Sequence, residues 1–282
     1  MAFLLVFIPV FAFADDVSNA SSVSDVSDVS SQAVVSDTSE PETEPVITSG
    51  NAIVVMSVET GQILLNTANG REVDPTCATK LMTAMLAFDM ANGLDNQVTV
   101  DAEALKNIGK KGDISAPMLG LRAGNTATVR QLLQATLISA ANDACNALAY
   151  SVSGGDIAGF VEKMNARATE IGCEHTYFTN TTGLYDGEAY TTVEDVAKIA
   201  AAFYRYNTLL DISSQPTYVI GGSTIHTKNY LRSETLMRGC TIRESKGMIA
   251  GQRTDKSDYC LITAGESDGI GYVYVIMEAA GE

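Results

Sequence analysis

The sequence predicts an α+β domain in which a run of helices is inserted into one antiparallel sheet. Three observations lead to this prediction. Asn51 to Asn66 shows a hairpin pattern, amphipathic helical patterns fill the middle of the chain, and strand patterns return from Tyr218 onward. Strands that flank a block of helices are typical of a sheet whose first strands pair with its last. We therefore expect the N-terminal hairpin to pair with the C-terminal strands, with a helical lobe between them.

Two segments precede this domain. Residues 1–14 form an apolar run that ends in Ala-Phe-Ala, which is typical of a signal peptide and is too short to span a membrane. Residues 15–47 are rich in Ser, Val, Asp and Glu and are predicted to be a disordered linker. The sequence thus predicts an exported protein, with a domain over residues 48–282 and no transmembrane helix in the mature chain.

The charge distribution excludes one class of partner. The chain carries a net charge of −16, and half of it comes from eight acidic residues in the linker. The remaining domain is still acidic, so it does not attract the phosphate backbone of nucleic acid. With His175 and His226 as its two histidines, the chain also makes a metal cluster or a Ser-His-Asp triad improbable, and we expect no cofactor.

The helices are predicted from caps and from periodicity. Asp74 is expected to cap a helix that begins at Pro75, buries one face through Leu86 and stops at Asn92-Gly93. The other predicted helices begin at a cap by Thr128, at Asn142, at a cap by Asp156, and at a capping box of Thr191 with Glu194. The apolar stripe from Ile157 to Ile171 is interpreted as core rather than as a cofactor site.

The strands predicted at the end of the domain are separated by Gly and Asp-Gly signals. They are expected at Tyr218 to Ile220, in a segment leading to Met248, at Tyr259 to Thr263 and at Tyr272 to Met277. A loop region without regular structure is expected over Lys106 to Gly124, where glycines recur.

Cys77 and Lys80 are the candidate catalytic residues. Cys77 falls in the first turn of the helix after Pro75, and Lys80 lies three residues on, on the same face. A thiol at a helix N-terminus with an amine one turn along suits acyl transfer, because the amine can accept a proton and the free N–H groups can stabilise negative charge. The alternative is that Cys77 is a small core residue and Lys80 a surface residue.

The chain has five cysteines, so at least one thiol is free. Cys240 and Cys260 could form a disulfide, although the sequence does not establish it. Our working expectation is that Cys145, Cys173, Cys240 and Cys260 are all buried free thiols.

Several motifs resemble those of one enzyme family. Residues 75–84 (P-T-C-A-T-K-L-M-T-A) are similar to the P-A-S-x-T-K-x-M-T-A signature of the serine D-alanyl-D-alanine carboxypeptidases, the low-molecular-weight penicillin-binding proteins. Residues 160–165, 175–184 and 259–261 are similar to its F-V-x-x-M-N, H-T-x-F-x-N-x-x-G-L and Y-C-L segments. The resemblance covers about 51–282 and implies the penicillin-binding, β-lactamase-like acyltransferase fold. The chain stops just after a strand, where the family adds a helix, so we expect a truncated C-terminal end.

The same resemblance shows departures at the catalytic motifs. Cys77 replaces the family's acylated serine, with Lys80 kept as the implied base. In the second motif, S-x-N, Asn142 is kept as the implied binder of the substrate amide, but Ala140 replaces the serine. Ser139 is one residue out of place, and a one-residue slip directs a side chain elsewhere.

The third motif, K-T-G, has become residues 249–251 (I-A-G), so the lysine and threonine that hold the substrate carboxylate are lost. Gly251 is kept and would let the substrate backbone approach closely. The N–H of Gln252 would form an oxyanion hole with that of Cys77. Lys246 is expected to point to the opposite face of its strand, and Arg253 is a further candidate for a lost cation.

Three functional hypotheses follow from the resemblance. The first is an exported, cell-wall-associated relative of the carboxypeptidases that is inactive or weak and binds a peptidoglycan stem peptide ending in D-Ala-D-Ala, or a cell-wall protein. The second is an active thiol acyltransferase that uses Cys77 and Lys80. The third is a domain retained only for its surface.

Overall fold

The computed structural model of the chain describes residues 52–110, 116–226, 246–252 and 258–280. The predicted signal peptide and linker lie outside the described residues, and so do Arg253 and Cys240. All described residues belong to one compact unit, Ser49–Glu282.

The described strands and helices follow one another in an order that returns the chain to its first sheet. The strands are β1 (Ala52–Ser57), β2 (Ile63–Asn66), β3 (Glu72–Val73), β4 (Gln97–Thr99), β5 (Thr126–Thr128), β6 (Thr191–Thr192), β7 (Thr217–Ile220), β8 (Ser223–His226), β9 (Lys246–Gln252), β10 (Asp258–Ser267) and β11 (Ile270–Ala280). The helices are α1 (Ala78–Met90), α2 (Val129–Ile138), α3 (Asn142–Val152), α4 (Ile157–Ile171), α5 (Val193–Tyr204) and α6 (Asn207–Ser213), with a 3-10 turn at Glu103–Leu105.

The main sheet has five strands in the order β2-β1-β11-β10-β9, and the pairs are antiparallel. The first strand therefore pairs with the last, as the sequence predicts, with Val54 opposite Val275. Alternate residues of β1 and β11 are buried, so one face of the sheet covers the core and the other is more exposed. The predicted antiparallel sheet with an inserted helical lobe is confirmed.

Helix α1 is the centre of the helical lobe. Its residues from Ala78 to Ala87 are all buried, and it contacts α2, α3, α4, α5 and the edge strand β9. Helix α5 lies between α1 and the sheet, where it contacts β1, β10 and β11. A helix that is buried on every side must be enclosed by other elements, and the rest of the lobe accordingly surrounds α1.

The predicted caps of α2 and α4 are confirmed. Thr128 caps α2 in a capping box with Gln131, and Asp156 caps α4 by accepting a hydrogen bond from the N–H of Gly159. Gly172 ends α4 in a left-handed conformation. Within α4, Phe160, Met164 and Ala168 are buried, which confirms the interpretation of its stripe as core.

The cap of α5 differs from the prediction. Helix α5 is capped by Thr192, not Thr191, because Thr191 pairs with Val73 in the β3–β6 ladder. Glu194 does not close a capping box with Thr191. Its carboxylate instead accepts hydrogen bonds from Asn66 Nδ2 and from the N–H of Gly70. The short helix α6 and the strand β8 were not predicted.

Candidate active site

The turn before Cys77 differs from the predicted cap. Helix α1 begins at Ala78 with Cys77 as its N-cap, so Asp74 is not the cap and Pro75 is not the first helical residue. Asp74 instead accepts a hydrogen bond from the N–H of Thr76 at 2.9 Å. Thr76 has a positive φ of 39°, which no helix accommodates, and this interrupts the turn. Cys77 nevertheless lies at the N-terminal end of α1, as the spacing predicts.

Cys77 forms a disulfide with Cys260 of β10, with the Cα atoms 6.6 Å apart. The prediction that Cys260 is a free thiol is therefore wrong, and so is its suggested pairing with Cys240. Both sulfur-bearing residues are buried, at 3% and 4% exposure. Cys145 and Cys173 are buried and free, as expected.

Strand β9 passes beside this disulfide at Gly251. Gly251 lies opposite Cys260 in the β9–β10 register. A Cβ atom at Gly251 would lie 2.9 Å from Cys77 Cβ, which is closer than real contacts of this kind. In this structure the group that lies close to Gly251 is the protein's own Cys77. Whether a substrate backbone approaches Gly251 stays a prediction.

Lys80 is buried at 6% exposure one turn along α1, and its ammonium donates a hydrogen bond to the carbonyl of Thr182. The neighbouring carbonyl of Thr181 accepts hydrogen bonds from Thr83 Oγ1 at 2.8 Å and from Cys145 Sγ at 3.1 Å. Hydrogen bonds from α1 thus hold Thr181 and Thr182, in the segment after α4, against this helix. Lys80 accordingly points into the protein rather than to solvent, which argues against its interpretation as a surface residue.

Gly183 explains how this segment fits so closely. It has a positive φ of 71°, and a Cβ atom there would lie 1.9 Å from the carbonyl oxygen of Thr76. Only glycine allows both the conformation and the contact. The residues 181–183 therefore support the turn that carries Cys77.

The second motif lies where α2 ends and α3 begins. Asn142 is the first residue of α3, and its Nδ2 donates to the carbonyl of Ile108 at 3.0 Å. Its Oδ1 is buried and has no hydrogen-bond partner among the described residues. The amide nitrogen that would bind a substrate is thus engaged by the protein's own loop. Whether Asn142 binds a substrate stays a prediction.

Ser139, the nearest candidate to replace the missing serine, faces Tyr218. Its hydroxyl lies 3.0 Å from the hydroxyl of Tyr218, and both residues are buried. Burial raises the pKa of Tyr218, so this phenol stays protonated at neutral pH. The slip by one residue directs Ser139 towards β7, as expected from the sequence.

Asp143, the residue after Asn142, holds the loop over the start of α3. Its carboxylate accepts hydrogen bonds from the N–H groups of Leu119, Gly120 and Leu121 at 2.8–3.0 Å. The N–H of Asn142 donates to the carbonyl of Pro117 at 2.7 Å in the same region. No local pattern around Asp143 predicts this anchoring role.

The third motif has become part of the core. Ile249 is fully buried and belongs to the same apolar cluster as Cys77 and Cys260. Lys246 lies at the other end of β9 and binds Glu266 at 2.5 Å and the Tyr204 hydroxyl at 3.1 Å, so it does not replace the lost lysine. Gln252 is the last residue of β9 and pairs with Tyr259, and its role in an oxyanion hole stays a prediction.

Among the described residues, no group of three or more His, Cys, Asp or Glu side chains is arranged to hold a metal ion. None of their helices is both long and apolar enough to cross a bilayer.

A family model described as D-alanyl-D-alanine carboxypeptidase, Peptidase S11, matches residues 37–281. The chain belongs to this family. The match covers all of the described residues. That Cys77 occupies the position of the family's nucleophile stays a prediction.

Curated relatives agree with the family membership. The chain is 25% identical over 236 residues to the D-alanyl-D-alanine carboxypeptidase DacF of Bacillus subtilis, covering 80% of this chain and 57% of DacF. It is 25% identical over 229 residues to a D-alanyl-D-alanine carboxypeptidase of Streptomyces, covering 76% and 75% of the two chains. The match thus spans a little over half the length of DacF.

Solved structures of family members share the fold. A cysteine-to-alanine mutant of a Streptomyces DD-transpeptidase superposes with a TM-score of 0.72 and 25% identity, covering 84% of this chain and 93% of the other. Penicillin-binding protein 6B of Escherichia coli gives a TM-score of 0.72 at 24% identity, covering 85% and 74%. The predicted penicillin-binding acyltransferase fold is confirmed.

Proposed function

We propose that this chain is an exported, cell-wall-associated protein of peptidoglycan metabolism that binds stem peptides ending in D-Ala-D-Ala without hydrolysing them. The observation that carries the proposal is the Cys77–Cys260 disulfide. A sulfur bonded to another sulfur has no lone thiolate with which to attack a carbonyl, so the position of the family's nucleophile cannot be acylated in this state. Disulfides are stable in oxidising compartments, which is consistent with export.

The geometry of β9 supports peptide binding. It is the last strand of the sheet, so one side of its backbone is not paired with another strand of that sheet. An extended peptide can add to such an edge through main-chain hydrogen bonds.

Loss of the carboxylate clamp favours weak binding and no hydrolysis. Each charge-assisted hydrogen bond contributes about 1.5–3 kcal/mol. Ile249 and Ala250 supply none of those that the family's lysine and threonine would make. We therefore expect binding to depend on the peptide backbone and the D-alanine methyl groups more than on the terminal carboxylate.

The test is binding and turnover of a fluorescently labelled stem-peptide mimic by the oxidised full chain. We expect anisotropy to rise with protein concentration for a peptide ending in D-Ala-D-Ala, with no release of D-alanine. The matched control is the same peptide ending in L-Ala-L-Ala, which should bind more weakly. Release of D-alanine, or a stoichiometric penicillin adduct at Cys77, would contradict the proposal. Equal binding of both peptides would point instead to a cell-wall protein as partner.

The second candidate function is acyl transfer by Cys77 with Lys80 as base. The observation that favours it is that Cys77 lies at the N-terminal end of α1 with a buried Lys80 one turn along. The helix N-terminus stabilises a thiolate and the charge that develops on an attacked carbonyl. This function requires a free thiol at Cys77, so reduced protein should form a covalent intermediate with a D-Ala-D-Ala thioester and oxidised protein should not.

A further inference from the structure

The Cys77–Cys260 disulfide crosses from the helical lobe to the sheet at the position of the family's nucleophile. Cys77 begins α1, and Cys260 lies 183 residues later in β10. Gly251 of β9 lies between them in space, because its missing Cβ would be 2.9 Å from Cys77 Cβ and 3.7 Å from Cys260 Sγ. Three elements thus meet at this bond, and the sulfur that would do chemistry is also the one that joins them.

The geometry points to a redox lock at the active site. The disulfide keeps Cys77 closed to acylation, and a small dithiol opens the site by reducing the bond and releasing Cys77 as a free thiol. This inference rests on the proposed function, since it concerns the regulation of that same site. It separates the two candidate functions by redox state: peptide binding in the oxidised chain and thiol chemistry in the reduced one.

The reduction is an ordinary thiol–disulfide exchange. One thiolate of the dithiol attacks a sulfur of the bond, forms a mixed disulfide and displaces the other cysteine as a thiolate. The second thiol of the dithiol then displaces the remaining cysteine and closes its own ring. Two electrons and two protons pass to the protein, and the dithiol becomes a cyclic disulfide.

The surroundings favour attack on Cys260. The sulfur whose thiolate is more stable leaves faster. Cys77 lies at the N-terminal end of α1, where the helix dipole stabilises a negative charge. Attack on Cys260 Sγ therefore releases Cys77 first. Because both residues are at most 4% exposed, a small dithiol reaches the bond more readily than a protein reductant does.

The two free cysteines of the described chain are poor competitors. Cys145 Sγ donates to the Thr181 carbonyl and is fully buried, and Cys173 is nearly so. Desolvation by burial raises the pKa of Cys145 to about 11 and that of Cys173 to about 12. At neutral pH both stay as thiols, which are much weaker nucleophiles than thiolates. A label that reads out thiolates therefore distinguishes Cys77 from them.

The experiment measures alkylation of each cysteine in the full chain. Air-oxidised protein is pulsed with iodoacetamide near neutral pH, directly or after dithiothreitol treatment and desalting, and labelling is assigned to residues by peptide mass. We expect Cys77 labelling to rise at least about tenfold after reduction, since a disulfide sulfur is not alkylated. We also expect Cys77 to be labelled faster than Cys260, and reoxidation to abolish the labelling.

Two variants sharpen the result. Cys260→Ser should make Cys77 reactive without any reductant, while the matched control Cys173→Ser should leave the requirement for reductant in place. If Cys260→Ser does not fold, the comparison of wild-type labelling with and without dithiothreitol tests the proposal. Equal Cys77 labelling with and without reductant would overturn the lock. Labelling that appears only together with loss of the cooperative melt would also overturn it, by showing that the bond is needed for the fold.

Peptide binding is measured on the same samples and is independent of the labelling. Reductant-dependent labelling without any peptide binding would refute the proposed function and leave the lock standing. Binding of the D-Ala-D-Ala peptide together with reductant-independent labelling would refute the lock and support the proposed function.

Discussion

Ile249 is a core residue at a position where the sequence resemblance implies a substrate-binding lysine in the family. Its side chain is fully buried, in the same apolar cluster as Cys77 and Cys260. On β9 it pairs with Ile262, on the strand that also carries Cys260. The position is therefore occupied by an apolar side chain in an apolar environment.

Restoring the lysine should accordingly destabilise the protein. Ile249→Lys places an ammonium where no water reaches, and a buried charge without a partner costs at least about 3 kcal/mol. The control Ile249→Val should cost only about 1 kcal/mol, since it removes a single methylene. Chemical denaturation of the oxidised proteins measures both. A lysine variant as stable as the wild type would mean that an anionic group faces this position.

A single carboxylate links α3 to the loop before it. Asp143 is 1% exposed and accepts hydrogen bonds from three successive backbone N–H groups, those of Leu119, Gly120 and Leu121. One side chain thus holds the loop in which Pro117 and Ile108 engage Asn142. The position of Asn142 depends on this anchor and not on α3 alone.

Asp143→Ala should therefore loosen the loop as well as destabilise the fold. It leaves three N–H groups without their acceptor, and we expect a loss of about 3 kcal/mol with faster hydrogen exchange at residues 119–121. The matched control is Asp156→Ala, which removes the exposed cap of α4 and should cost about 1 kcal/mol without changing exchange in the loop. Unchanged exchange at residues 119–121 in Asp143→Ala would show that other contacts hold the loop.

Contacts between the sheet and the helical lobe contribute to the pH dependence of the molecule's stability. Glu194 at the start of α5 accepts hydrogen bonds from Asn66 Nδ2 at 2.6 Å and from the N–H of Gly70 at 2.7 Å, which joins the first hairpin to the lobe. Although partial burial acts in the opposite direction, these hydrogen bonds lower the pKa of Glu194 below its ordinary value.

This shift predicts a loss of stability in acid. A carboxylate whose pKa is lower in the folded state stabilises the protein above its unfolded pKa, and that contribution is lost as the pH falls through the folded pKa. We expect the free energy of unfolding to fall below about pH 4.5. Glu194→Gln should show a shallower fall than the wild type in urea unfolding. The control Glu162→Gln, at an exposed site of α4, should keep the wild-type slope. Equal slopes for Glu194→Gln and the wild type would contradict this assignment.

Most of the elements, and the family, could be predicted from the sequence. Helix and strand patterns, together with the caps Thr128 and Asp156, are local signals that a short window contains, and they placed the elements and predicted the pairing of the first and last strands. Motif resemblance named the family and located Cys77, Lys80, Asn142 and Gly251. The predicted caps at Asp74 and Thr191 were wrong for tertiary reasons. Thr76 has a positive φ, and Thr191 pairs with another strand, and each of these overrode the local preference for a cap.

The chemical state of the site could not be predicted from the sequence, because it depends on how distant elements pack. Cys77 and Cys260 are 183 residues apart, and their approach depends on the β9–β10 register and on how α1 packs against β9. Neither the register nor the packing can be predicted from a short stretch of sequence, since both arise from the whole sheet and lobe together. The same is true of the contact between Asn142 and Ile108. A sequence specifies which groups can react, whereas the distances that pair them arise only when distant elements pack.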